Sequence, residues 1–354
     1  MAQILAAPNT FEVQAPIAAQ VSRPRSMIID VVRGIAITLV ALGHTDQGVG
    51  HRGWWGSSPV GDRIDATIYA FHMPAFFFIS GIFLCASVEK RGQLRFTVDK
   101  LRTMIWPYLF FSVLNEFVIQ LFPRFTVQQT LAPSHFLFDI ATGSLSWFLP
   151  TIFFVVILGM LARKLPMPVL FLLAVAVSTW YPQTPIVFVT RGLKFLPFLV
   201  LGMWVGRSYE KIERIPLWVA SSGFLGLALL VIASTWPFHP DTNWRFLPLG
   251  ILGTMMLLLL ARVLGRSAPA RFFAWTGEAS VGIFLLAAYF QGTGRELLFR
   301  LLHITNPWLQ MLFPTLLAVA IPAWIYQHRD RFHIAWTFVF PYNLSQPEQT
   351  QASR

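Results

Sequence analysis

The sequence predicts an all-α protein: a polytopic transmembrane helix bundle of about ten spans, with both termini cytoplasmic. Three observations predict it. Hydrophobic residues make up 55% of the chain and charged residues only 12%, about half the charged share of an ordinary soluble protein. The apolar residues gather into runs near membrane length. The basic residues alternate between the joints of those runs, as the cytoplasmic excess of Lys and Arg requires. A chain of 354 residues built this way reads as one bundle rather than several globular domains.

The apolar runs fall near residues 28–44, 65–88, 103–122, 146–162, 166–181, 191–206, 216–236, 246–264, 278–291 and 308–326. The fifth, sixth and ninth are short or carry Pro and Gly. Such breaks are tolerated where a helix lines a protein-buried cavity. With the N-terminus inside, the inside joints carry clusters such as Lys90, Arg91, Arg95, Lys100 and Arg102, or Arg262, Arg266 and Arg271. They outnumber the basic residues of the outside joints about two to one. The expected division is a flexible cytoplasmic tail over 1–24, a transmembrane domain over 25–335 and a second tail over 336–354. The first residues lack the basic start and long apolar core of a signal peptide.

These totals also exclude some functions. The net charge of +11 is explained by cytoplasmic joints and does not argue for nucleic acid. One cysteine, Cys85, allows no intrachain disulfide and no cysteine metal cluster. The histidines are scattered without paired ligand spacing, so no metal is expected. No internal repeat is visible, which weighs against an inverted-repeat transporter.

Four stretches carry polar chemistry inside apolar surroundings. In the first run, Asp30, Arg33 and His44 share one helical stripe. The interval from Arg33 to His44 rises about 16 Å over about three turns. Ionisable groups in a span are costly unless they face a partner or a cavity. Asp30 and Arg33 suit an i,i+3 pair snorkelling at the interface, which needs no function. His44 suits either an interfacial histidine or a general base acting on a hydroxyl. The second stretch, Tyr69 to Phe83, holds His72 at its outer end, a kink at Pro74 and a close-packing Gly81. The third holds Lys100 and Arg102 at the cytoplasmic mouth of a span, as plain positive-inside anchors or as a clamp for phosphates. The fourth, "SLSWFLP", places Trp147 in the aromatic belt or against a substrate.

Together these stretches resemble a known family. The order R-x4-D-x2-R-G-x-A-x7-H, then F-H-M-P-x-F-F-F-x-S-G, then a basic patch before P-Y, then W-F-L, resembles the integral-membrane acyltransferase 3 family. The resemblance is strong over residues 25–150 and continues weakly to 326. It implies transfer of an acyl group, usually acetyl and sometimes succinyl, from acyl-CoA to hydroxyls of cell-envelope carbohydrates. It implies a multi-pass protein of the inner (cytoplasmic) membrane with no bound cofactor. The family's first-helix arginine and histidine match Arg33 and His44. Its H-M-P-x-F-F-F segment matches His72, Met73, Pro74, Phe76, Phe77 and Phe78. Two positions depart from the pattern. Asp99-Lys100-Leu101-Arg102 stands where many members have R-x-x-R, and Ala287 stands where many have a late histidine.

The resemblance leads to specific expectations. Acyl-CoA approaches from the cytoplasm, and its phosphates meet Arg33, Lys100 and Arg102. Asp30 positions Arg33. His44 is the general base, His72 orients it or polarises the thioester carbonyl, and Trp147 contacts substrate. Direct transfer and a covalent acyl-histidine are both compatible with these residues. The acceptor is a carbohydrate or lipid-linked glycan. The alternative from another class is a transporter or flippase for an anionic or lipid-linked substrate, which would consume no CoA. A third reading is a catalytically dead relative, suggested by Ala287.

Overall fold

The computed structural model describes residues 26–121, 132–180, 183–206, 208–235 and 246–341. Among the described residues it is helical with no strand, as expected where only internal backbone hydrogen bonding is possible. The elements run α1 (Met27–His51), α2 (Val60–Tyr69), α3 (His72–Arg91), α4 (Gln93–Lys100) and a π turn at Leu101–Ile105 that feeds α5 (Trp106–Leu121). Then come α6 (Pro133–Thr142), α7 (Phe148–Ala162), α8 (Met167–Trp180), α9 (Val187–Val205), α10 (Leu217–Thr235) and α11 (Phe246–Leu264). The chain closes with α12 (Ala268–Glu278), α13 (Ser280–Glu296), α14 (Pro307–Gln327) and the short α15 (Ala335–Phe338).

Seven helical segments are long and apolar enough to cross a membrane, or eight if the pair α12–α13, bent by 88°, counts as one. The apolar helices α7 and α8 are shorter. This is a multi-pass membrane bundle. Each of the expected apolar runs finds a helix, with three differences. The run at 65–88 is two helices, α2 and α3, broken at Ala70–Phe71 immediately before His72. The run at 278–291 is the second arm of the bent pair. The first run extends past His44 to His51. Its last residues read as polar, but Thr45 bonds back to its own helix and across to Thr315 at 2.6 Å, and buried Asp46 accepts from Trp55 at 2.9 Å. Satisfied in this way, they continue the helix inside the bundle.

Helix α1 lies at the centre, packed against α2, α3, α11, α12, α13 and α14. Small residues let its neighbours approach. A Cβ on Gly34 would collide with the Phe273 carbonyl of α12, and one on Gly277 with the carbonyl of Asp30. The α3–α9 crossing is made the same way, by Gly81 and Gly202. The buried core runs from Val31, Val32 and Ala36 through Phe77, Phe78 and Leu199. By contrast α10 buries little of its apolar surface and leaves Leu229 and Ile232 exposed, as a lipid-facing helix does.

The C-terminal boundary expected at 335 falls inside a packed segment. Phe338 is buried between Phe111 and Tyr326. Arg102 and Phe340 exchange two hydrogen bonds, Nε to carbonyl at 2.8 Å and amide to carbonyl at 3.2 Å. Trp106 donates to the Trp336 carbonyl at 2.7 Å. The charged turn Arg329-Asp330-Arg331 makes the following residues read as tail, yet they return to the start of α5.

Candidate functional site

The polar side chains of α1 form two groups at different depths. At the first, Asp30 is buried, Arg33 is partly accessible, and their charged groups lie 3.9 Å apart. The Arg33 guanidinium also lies 6.0 Å from the Phe83 ring centre. Lys100, at the end of α4, lies within electrostatic range of Arg33, Arg91 and Asp99, and its ammonium sits 5.4 Å from the Phe96 ring centre. Arg91 is itself paired with Asp99 at 3.0 Å. The break after α3 and the short α4 thus carry Lys100 back toward Arg33. Arg102 does not join them, because the π turn directs it to the Phe340 carbonyl.

The second group surrounds His44, the one exposed side chain between Ala41 and Val49. The α2–α3 break brings two rings to it. The Tyr69 hydroxyl lies 3.5 Å from His44 Nδ1, and the rings meet edge-on at 6.4 Å. Tyr69 in turn meets His72 edge-on at 4.7 Å. His72 is buried, and its Nδ1 donates to the Ile68 carbonyl at 2.6 Å. That bond fixes the tautomer and leaves Nε2 as the acceptor nitrogen. His44 and His72 are therefore brought together, with Tyr69 between them. Gln47 and Asp65 also act on His44, and Gln47 donates to Asp65 at 2.9 Å.

Trp147 is placed elsewhere. It stacks on Phe195 at 5.6 Å, with the Arg191 guanidinium 4.5 Å above its ring. The adjoining Phe148 turns inward against Phe76 and Phe284. Ala287 is buried on α13 with no polar function, and the residue there that reaches α1 is Gln291, whose amide donates to the Ala41 carbonyl at 3.0 Å.

Three cavities flank these groups. One of about 310 Å³ opens beside the end of α1, lined by Asp46, Gln47, His51, Trp55, Asp62 and Asp65. A second of about 180 Å³ is lined by Tyr108, Ser112, Asn115, Phe284 and Tyr289, with no charged residue. Ser112 is buried there and its Oγ completes no hydrogen bond. A third, of about 550 Å³, lies between the start of α1 and Arg214, Arg262 and Arg266, and none of the predicted site residues lines it. Among the described residues no group of His, Cys, Asp and Glu converges as a metal site.

Sequence reasoning missed Tyr69, Gln47 and Asp65. A signal existed: Asp65 and Tyr69 are spaced i,i+4 in the polar-rich helix VGDRIDATIY, and Gln47 follows His44 at i+3, which places each on the neighbouring turn. What could not be read was which of these polar side chains of α2 pack against α1.

The structure is a multi-pass helical bundle, and the family comparison specifies its class. The acyltransferase 3 family, described as an acyltransferase domain, matches residues 28–327. The chain belongs to that family and is a membrane acyltransferase. No curated protein and no solved structure matches it.

Proposed function

We propose that the protein moves an acyl group, acetyl first among the options, from cytoplasmic acyl-CoA to a hydroxyl of an envelope carbohydrate in the inner membrane, with His44 as general base. The observation that carries this reading is α1 itself. One helix holds Arg33 beside Lys100 at one depth and His44 beside Tyr69 and His72 at another. The donor's phosphates meet Arg33 and Lys100. The uncharged cavity of Ser112, Asn115 and Tyr289 suits the amides and hydroxyl of the pantetheine arm.

The chemistry needs the His44 proton on Nδ1, directed at the Tyr69 oxygen, with Nε2 free. The acceptor hydroxyl gives its proton to Nε2 as its oxygen bonds to the thioester carbon. The tetrahedral intermediate collapses, the carbon–sulfur bond breaks, and the departing thiolate takes the proton back from the imidazolium. His72 holds Tyr69 by ring contact and acts on His44 through it. Arg102 anchors the C-terminal segment in this scheme, and Trp147 acts as an aromatic support.

The test uses membranes holding wild type, His44→Ala or an empty vector, supplied with labelled acetyl-CoA. Label appearing in envelope glycan, with matching CoA release, is expected only for wild type. Equal transfer by His44→Ala at equal expression contradicts the assigned base. Glycan movement without CoA release would favour a transporter.

A further inference from the structure

Arg295 stands in the last turn of α13, half-buried, with its guanidinium against α1. A Cβ on Gly48 would fall on the guanidinium carbon and both terminal nitrogens, so the missing side chain at 48 is what admits it. Arg295 Nε is buried with no hydrogen-bond partner. Among the described residues the guanidinium makes no hydrogen bond or ion pair. The neighbouring Glu296 attracts the guanidinium but makes its ion pairs with Arg52 at 2.6 Å and Arg300 at 2.5 Å.

The position is held firmly. Gln291 bonds to the Ala41 carbonyl, Thr45 bonds to Thr315, and Gly294 lies against Pro314. These contacts fasten α13 and α14 to α1 next to Gly48. Gly48 follows His44 by one helical turn, about 6 Å of rise. Asp46, by contrast, points about 200° round the helix from Gly48, into the acidic pocket with Asp62 and Asp65. The Asp46 carboxylate thus points away from the Arg295 guanidinium.

A guanidinium stays charged in proteins, and leaving a buried donor unpaired is unfavourable. A charge kept within a bundle at that cost marks a ligand. The two terminal nitrogens, unlike the buried Nε, form the fork that takes two oxygens of a carboxylate or phosphate. We propose that Arg295 recognises an anionic group on the acceptor, a sugar carboxylate or the phosphate of a lipid-linked saccharide, and so holds the acceptor beside His44. This rests on the acyltransferase reading above.

The test uses the full chain in nanodiscs of zwitterionic lipid, as wild type, Arg295→Gln and Arg295→Lys. Transfer from labelled acetyl-CoA to envelope glycan is measured with glucuronate, a short prenyl phosphate or glucose as competitor. Arg295→Gln is expected to raise the acceptor KM about ten- to a hundredfold and to leave the donor KM within about twofold. One of the two anions competes with acceptor in wild type and not in Arg295→Gln, and glucose competes in neither. Competition by glucuronate assigns a sugar carboxylate, and by prenyl phosphate a lipid phosphate. Arg295→Lys keeps the charge but not the fork and falls between. The same anion should raise the thermal midpoint of wild type and not of Arg295→Gln, a readout that needs no turnover. An unchanged acceptor KM in Arg295→Gln, or equal effects of the anions on both proteins, overturns the proposal. Absent transfer from every acyl-CoA, with the thermal shift intact, would instead overturn the acyltransferase reading alone.

Discussion

At one depth α1 carries Arg33, a fixed charge next to buried Asp30 and within range of Lys100. At the other it carries His44, a ring that can gain or lose a proton, edge-on to Tyr69 and near the Gln47–Asp65 hydrogen bond. A guanidinium cannot serve as a base, and a neutral imidazole cannot hold phosphates as well as a bidentate cation. Under the proposed function, binding and chemistry are divided along a single helix. That division also sets what each end loses when changed. Damage at the Arg33 end should appear in donor affinity, and damage at the His44 end in turnover.

The largest effect is expected at the histidine. His44→Ala should lower kcat by about 10²–10⁴-fold while donor binding, followed by equilibrium dialysis of labelled CoA, stays near wild type. Next comes Arg33→Ala, which should raise the donor KM by about tenfold or more, with Arg33→Lys restoring only part. An equal fall of kcat in both variants would erase the division. A sharper contrast lies in the basic patch. Lys100→Ala should weaken the donor by several-fold, whereas Arg102→Ala should not, since Arg102 is bonded to the Phe340 carbonyl. Arg102→Ala should instead make the C-terminal segment more accessible to proteolysis. The smallest effect is expected of Tyr69→Phe, which keeps both ring contacts and removes the hydroxyl 3.5 Å from His44 Nδ1. A fall of a few-fold in kcat with unchanged donor KM would place Tyr69 as an orienting group, and no fall would confine it to packing.

The helices were largely legible because a membrane leaves few options. Runs such as 246–264 and 308–326 match α11 and α14 closely. The relative placement of Arg33 and His44 was legible because one helix carries both and spacing alone sets their relative depth. Placement was not legible where a break decides. Pro74 in "TIYAFHMP" signals a disturbed helix but not that the interruption falls earlier, at Ala70–Phe71, so Tyr69 as the link between two histidines could not be read. Arg102 and Lys100 look equivalent in sequence, and only the π turn and the returning Phe340 separate them. Nothing local in the sequence singles out Arg295, since its approach to Gly48 is a contact across most of the chain.

The most direct measurement uses sealed membrane vesicles of both orientations, since acyl-CoA does not cross a bilayer unaided. The account predicts transfer only when labelled acetyl-CoA is supplied on the cytoplasmic side, the Arg33 end of α1, with labelled glycan recovered on the opposite side. Transfer supported equally from either side, or only from the His44 side, would contradict the division of labour along α1.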